Sequence, residues 1–252
     1  MALKSGKDSP MNPNMKWAIV TGGSRGLGYE TAKALILAGF FVYIIGKDEE
    51  RAQQSAKTLG CKYRAVDVAD SEKFRKVLKE INLDAATNGL GTLDVLILAH
   101  GVMSEKMSKT LRTDDAEWRR TLSINLDAVF TAVNELAPAM TEARKGRVVI
   151  YSACLGRMSG PGTHGGLAPY RISKAGVNAF VKNLSYETGL GARGFLVDAI
   201  CPGHCRTDMG GPDAPRSAQE GAETAIWLAT REFDPTKDKT GLLWEDRQIV
   251  DW

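Results

Sequence analysis

The chain has 252 residues, 43% of them hydrophobic and 25% charged, enough to bury a full core as one large or two small domains. Its formal charge of +3 comes from interspersed basic and acidic residues, which excludes the electrostatic footprint of a nucleic-acid or membrane-surface protein. Four cysteines, Cys61, Cys154, Cys201 and Cys205, do not make a disulfide framework in a chain of this length and point to a reducing, cytoplasmic compartment.

Residues 1–15 are polar, carry Gly6, Pro10 and Pro13, and lack the apolar stretch of a signal peptide, so they read as a disordered leader ahead of one domain over 16–252. The longest apolar run, 34–45, is broken by Gly39 and too short to span a membrane. A short apolar strand over 16–21 runs into Gly22-Gly23-Ser24-Arg25-Gly26-Leu27-Gly28. A helix through Thr31, Leu35 and Ala38 follows, closed by Gly39, and then a continuous β-rich run over 40–45. Strand, glycine turn, helix and strand make a right-handed βαβ unit. Glycines in such a turn let the backbone approach a pyrophosphate seated on the amides of the helix N-terminus.

The alternation continues along the chain. Helices are predicted over 48–59, 71–86, 115–140 and 217–229, and a further helix carries Tyr170. Strands are predicted over 61–66, 93–98, 147–151, 195–200 and, as the last, 241–244. In the longest helix Trp118, Leu122, Leu126, Phe130 and Val133 recur at helical spacing, and Asp114, Asp115 and Glu117 read as its N-terminal cap. This pattern predicts an α/β fold, a doubly wound Rossmann-type domain with a mostly parallel sheet.

Tyr170 and Lys174 stand four residues apart, so on a helix both reach one site. An ammonium beside a phenol favours the phenolate and is expected to lower the tyrosine pKa, tuning it for proton exchange with a carbonyl oxygen. His204 and Cys205, with Cys201, are too few for a zinc site, and no metal is expected.

Together these residues resemble the short-chain dehydrogenase/reductase family over about 16–252. Thr21 to Gly28 is similar to its cofactor turn, in which Thr21, Gly22, Ser24, Arg25, Gly26, Leu27 and Gly28 would hold the dinucleotide. Asp67-Val68 resembles the adenine-contacting pair, Gly101 the surviving glycine after the fourth strand, and Asn125 the helix asparagine. Pro202-Gly203 followed by Thr207 resembles the segment that closes over nicotinamide. The resemblance implies that Tyr170 protonates the carbonyl oxygen as hydride arrives. It also implies that Lys174 holds the ribose and lowers the tyrosine pKa, and that Asn125 supports a water leading to solvent. The implied substrate is a small-molecule ketone, aldehyde or quinone-like carbonyl, or the corresponding alcohol, and the implied assembly is a homodimer or homotetramer.

The second strand ends Ile45-Gly46-Lys47, with glycine where an NAD enzyme carries its ribose-binding acid. Arg25 and Lys47 would meet a 2′-phosphate, which points to NADP(H), with Asp48 keeping NAD as the alternative.

Two departures stand out. The family's catalytic serine lies three residues before a glycine, and here Ala153 occupies that place before Gly156. The missing donor is expected from the Ser152 hydroxyl, from a hydroxyl or imidazole of Ser159, Thr163 or His164 in the following loop, or from no residue. Ser152 would serve only if the strand end departs from regular geometry. Loss of the donor would give a slow enzyme or a cofactor-binding sensor, and the same fold also hosts dehydratases and epimerases. The second departure is Leu98-Ala99-His100-Gly101, where the family carries asparagines; His100 reads as a ring packed beside the cofactor.

Overall fold

In the first strand, β1 (Trp17–Thr21), alternate side chains enter two different cores, because successive residues of a strand point to opposite faces. Trp17 and Ile19 pack with Phe74, Leu78, Val177 and Val181, whereas Ala18 and Val20 pack with Ala32, Leu35, Ala225 and Leu228. A strand buried on both faces belongs to a sheet covered by helices on both sides. The computed structural model describes residues 15–104, 109–234, 236 and 238–252, and the side chains of 162 and 163 lie outside that description. All of the expected leader except Met15 also lies outside the described residues.

β1 is followed by α1 (Gly26–Leu37), β2 (Phe41–Gly46), α2 (Glu49–Leu59), β3 (Lys62–Ala65), α3 (Ser71–Thr87) and β4 (Val95–Leu98). Next come α4 (Asp115–Leu122), α5 (Ala128–Glu142), β5 (Gly146–Tyr151), α6 (Ala168–Glu187), β6 (Phe195–Ile200) and α7 (Ala218–Thr230). A hairpin of β7 (Leu243–Glu245) and β8 (Gln248–Val250) ends the chain. One eight-stranded sheet results, in the order β3-β2-β1-β4-β5-β6-β7-β8, parallel except for the antiparallel β7–β8 pair. The order reverses between β1 and β4, and the crevice outside the carboxyl ends of those strands is where doubly wound sheets bind ligands.

Local chemistry sets the helix ends. Asp48, Asp70 and Asp114 each accept a backbone N–H two or three residues inside their helix, and Ser217 with Glu220 forms a capping box. Gly39 (φ 86°) and Gly60 (φ 70°) take the left-handed conformation that ends α1 and α2.

Two expectations are corrected. The helix predicted over 115–140 is interrupted by a π-helical turn, Ser123–Asp127, which adds one residue and shifts the phase of everything after it. The buried face of α5 runs through Val129, Ala132, Val133, Leu136 and Met140, so Val133 of the anticipated stripe is buried while Phe130 is 52% exposed. Phe130 lines a surface groove with Gly176 and Phe180 of α6, and Leu126 both lines that groove and packs against the core. The second correction is β8, absent from the predicted elements because its turn has no glycine: Asp246 (φ 49°) and Arg247 (φ 61°) both adopt left-handed backbone.

Candidate active site

The glycine turn after β1 is compressed by its surroundings. A side chain on Gly22 (φ 65°) would meet the Ala99 carbonyl at 2.8 Å, and one on Gly28 would meet the Gly22 carbonyl at 2.3 Å. No side chain caps α1 and no acid occupies its first turn, so its leading N–H groups and the positive end of its dipole are left for an anion. These features form a cradle that Cβ atoms would fill, and they fit a dinucleotide pyrophosphate.

Thr21 does not face that cradle. It is fully buried, hydrogen-bonded to the Ile97 carbonyl at 3.3 Å and to His100 Nδ1 at 2.6 Å, and so ties β1 to β4. His100 is buried edge-on against Phe74, and burial, reinforced by nearby Lys174, pushes its pKa down to about 3, so the ring is neutral.

At the end of β2, a side chain on Gly46 would come within 2.9 Å of Ser24 Oγ, so an acid there would crowd the turn. Lys47 lies just beyond and pairs with Asp67 at 2.7 Å, which holds the Asp67 carboxyl below its ordinary value. Asp67 also accepts the Ala69 N–H, and Val68 packs against the core beneath. Arg25 pairs with Asp208. Both expected phosphate-binding cations thus have carboxylate partners, but these pairs are solvent-exposed and cost little to redirect.

Tyr170 and Lys174 lie one turn apart on α6, both buried, with Lys174 Nζ 5.9 Å from the Tyr170 ring centre. The helix enters through Leu167 in left-handed backbone (φ 53°) without a side-chain cap of its own, and Ser104, from the segment after β4, accepts the Tyr170 N–H at 3.2 Å. Lys174 Nζ donates to the Tyr151 carbonyl at 2.6 Å, and burial lowers its pKa to about 8. The expected lowering of the Tyr170 pKa is reversed. Burial, followed by the nearby Cys201 and Cys154, pushes the phenol above its ordinary value and keeps it protonated.

Asn125 sits in the π-turn and is fully buried. Its carboxamide accepts from Val102 N at 2.8 Å and donates to the Val102 carbonyl at 2.9 Å and to Ser173 Oγ at 3.0 Å. It therefore pins the segment after β4 beside Gly101, where an added side chain would lie 3.4 Å from Asn125 Oδ1 and 3.6 Å from Lys174 Nζ.

Ser152 still pairs with β6, its N–H bound to the Ile200 carbonyl at 2.8 Å. Its hydroxyl is taken by α6, with Asn178 Oδ1 at 2.5 Å and the Lys174 carbonyl at 3.3 Å, so it is not free to hold a substrate oxygen. Ala153 lies on the pocket wall and carries no donor. Ser159 is bound to Arg157 and to the carboxyl-terminal Trp252 carbonyl, and His164 is exposed. The Thr163 side chain lies outside the described residues.

Tyr170, Lys174, Ala153 and Leu27 line one pocket of about 400 Å³ that reaches from the start of α1 to α6. Its far wall is the segment after β6, where Pro202, Gly203 (φ 72°) and Thr207 lie; Thr207 sits against Gly26, 3.2 Å from where a side chain there would begin. Sequence reasoning weighed Cys201 and Cys205, with His204, only as metal ligands too few to count and left Cys154 aside; all three thiols line the pocket. Their spacing along the chain gives no hint that β5 and β6 bring them together. Among the described residues no group of three or more His, Cys, Asp or Glu side chains converges as a metal site.

The profile of the short chain dehydrogenase family matches residues 16–218. The 3-oxoacyl-[acyl-carrier-protein] reductase FabG of Escherichia coli (strain K12) is 31% identical over 201 residues, covering 79% of this chain and 77% of the relative. The reductase of the same name from Vibrio cholerae is 31% identical over 227 residues, covering 89% and 87%. A short chain dehydrogenase of Escherichia coli CFT073, solved in complex with NADPH, superposes with a TM-score of 0.77 at 22% identity, covering 91% of this chain and 95% of that one, a likeness of fold.

Proposed function

This chain belongs to the short-chain dehydrogenase family, and on that premise we propose that it is an NADPH-dependent reductase of small-molecule carbonyl groups in which Tyr170 gives the proton. The observation that carries the reading is the buried pair Tyr170 and Lys174 on one pocket wall, facing the same cavity as the start of α1. A bound nicotinamide dinucleotide supplies hydride. The backbone amides of the glycine turn would hold its pyrophosphate, and the crowding at Gly46 with the nearby Arg25 and Lys47 favours a 2′-phosphate over a bare ribose.

The remaining work belongs to the chain. A phenol whose pKa is raised by apolar walls rests as the acid, ready to donate its proton to a substrate oxygen, and so suits reduction. Lys174, fixed by the Tyr151 carbonyl with its Nζ 5.9 Å from the Tyr170 ring centre, would supply positive charge toward the oxygen that Tyr170 leaves negative. Asn125 is a positioning residue, since it holds the segment after β4 that in turn caps α6 at Tyr170.

The substrate class is a ketone, aldehyde or quinone-like carbonyl. The names of the FabG relatives place a 3-oxoacyl group among the first compounds to try. A second reading, an NADPH-binding sensor with weak chemistry, is favoured by Ala153 together with the commitment of Ser152 to α6. The surface groove between α5 and α6, with exposed Phe130, is our candidate face for a second copy of the chain.

NADPH consumption over a carbonyl panel, run for the native protein, Ala153→Ser and Tyr170→Phe, tests the reading. Tyr170→Phe should lose about 100- to 10,000-fold in turnover. Ala153→Ser should gain, toward the roughly 100- to 1000-fold that one oxyanion donor is worth. Tight NADPH binding with no turnover in any of the three would overturn the reductase in favour of the sensor.

A further inference from the structure

The segment between β6 and α7 folds back on itself beside the start of α1. The Arg206 N–H donates to the Arg216 carbonyl at 2.7 Å, and the Arg216 N–H donates to the His204 carbonyl at 3.2 Å. The Arg206 guanidinium donates to the carbonyls of Ala214 and Pro215 at 2.8 and 2.9 Å. In the turn that follows, Thr207 Oγ1 accepts the Gly210 N–H at 3.1 Å and the Thr207 carbonyl accepts the Gly211 N–H at 2.8 Å. These bonds brace the backbone on both sides of Asp208. Thr207 rests against Gly26, and the Asp208 carboxylate meets the guanidinium of Arg25, the residue immediately before α1.

Among the described residues, the Arg25 and Asp208 side chains have only each other as ion-pair and hydrogen-bond partners. Lys47, the other cation assigned to a 2′-phosphate, pairs with Asp67 at 2.7 Å. Two cations thus face two carboxylates, and the four side chains sum to no net charge. A 2′-phosphate brings about −1.5 to −2 charges at neutral pH, so a carboxylate left beside its cation opposes binding. Asp67 has a second task, accepting the Ala69 N–H at 3.1 Å in the loop after β3. Asp208 has none, and its contact with Arg25 is made from a segment 183 residues further along the chain.

We propose that Asp208 is a specificity-determining residue for the dinucleotide: it competes with the 2′-phosphate for Arg25 and so narrows the preference for NADPH over NADH. This rests on the NADPH reading and deepens it. The braced turn keeps the carboxylate in place, whereas the arginine side chain is long and 56% exposed, so the exchange is a rotation of Arg25 from carboxylate to phosphate. A bare ribose hydroxyl carries no charge to draw Arg25 away, so NADH leaves the pair intact. Removing the carboxylate frees the guanidinium and deletes a negative charge beside the phosphate. An exposed pair of this kind is worth a gain of about 2- to 5-fold in affinity for the phosphorylated ligand alone.

The test is calorimetric binding of adenosine 2′,5′-bisphosphate and of 5′-AMP, which differ in the 2′-phosphate and carry no nicotinamide. It is run for the native protein, Asp208→Asn, Arg25→Gln and the double variant, at low and high salt. Both side chains are more than half exposed, so neither substitution threatens the fold. Asp208→Asn should tighten the bisphosphate by about 2- to 5-fold and leave 5′-AMP unchanged. The gain should shrink at high salt, as a charge effect does, and shrink again in the Arg25→Gln background. The proposal is overturned if Asp208→Asn leaves the bisphosphate unchanged or weakens it, tightens both ligands equally, or acts to the same extent without Arg25. A native protein that prefers the bisphosphate while ignoring Asp208→Asn sinks this proposal alone. One that binds both ligands equally, with or without Arg25, has no 2′-phosphate subsite and sinks the NADPH reading with it.

Discussion

Two clusters of buried charge lie on this sheet, one at the carboxyl end of β5 and one midway along β6, and they are built on opposite plans. Asp198 of β6 accepts from Thr240 Oγ1, Leu242 N and Trp244 Nε1 at 3.0–3.2 Å, with Arg231 at 3.7 Å. The Arg231 guanidinium lies against both Trp227 and Trp244, 4.6 and 5.0 Å from their ring centres. Lys174 is as deeply buried, yet its ammonium has a backbone carbonyl as its hydrogen-bond acceptor and, among the described residues, no carboxylate paired with it. Compensation has been built where charge is structural and withheld at the lysine we propose is used by a ligand. A cation lacking a carboxylate partner is free to serve a ligand, and the fold carries the cost.

The largest effect should come from breaking the compensated cluster. Arg231→Met leaves Asp198 buried without its cation and should cost about 3–5 kcal/mol by denaturant unfolding, a fall in Tm of roughly 10 °C. Lys174→Met should act in the opposite direction. A pKa displaced from 10.5 to about 8 corresponds to about 3 kcal/mol of unfavourable burial, so stability should hold or rise by up to that amount while NADPH-dependent reduction disappears. Equal destabilisation by the two substitutions would erase the contrast.

The pH dependence should also split by sign. Lys174 has its folded pKa depressed, so the unfolded chain binds more protons between about 8 and 10.5 and stability rises with pH across that window. Asp198 has its folded pKa raised from 3.8 to about 6, chiefly by burial, so the folded chain binds more protons and stability falls as pH rises through that range. Unfolding of Lys174→Met and Asp198→Asn against the native protein at pH 5, 7 and 9.5 would isolate each slope. The smallest effect belongs to the surface pair of Arg25 and Asp208, with side chains 56% and 70% exposed. Asp208→Asn should change unfolding free energy by less than about 0.5 kcal/mol, the scale against which the buried clusters stand out.

The candidate site was legible in part. Glycines crowded at Gly22 and Gly28, and a Tyr–Lys pair at helical spacing, are local signals whose meaning does not depend on what packs against them. The direction of the Tyr170 shift was not legible, because adjacency to Lys174 along a helix says nothing of how much water the pocket walls exclude. Nor was the fate of Ser152, whose hydroxyl is claimed by Asn178, 26 residues away along the chain. The stripe through Leu126 and Phe130 was real as a pattern, but where its members face was not legible: Phe130 is 52% exposed on a surface groove while Val133 is buried. The π-turn around Asn125 shifts the phase of α5, and no composition rule marks that insertion.

By itself the sequence determined the order of strands and helices, the parallel sheet and the turn at the head of α1. Those follow from periodicity, glycine conformation and capping, all interactions within a few residues. Tertiary structure alone decided which polar groups were satisfied and which were left exposed to the pocket: Asp198 held by three donors, Lys174 held by one carbonyl, Ser152 claimed by Asn178. Desolvation and long-range hydrogen bonding depend on neighbours brought in from distant strands, and it is those terms that turn a list of reactive residues into a site.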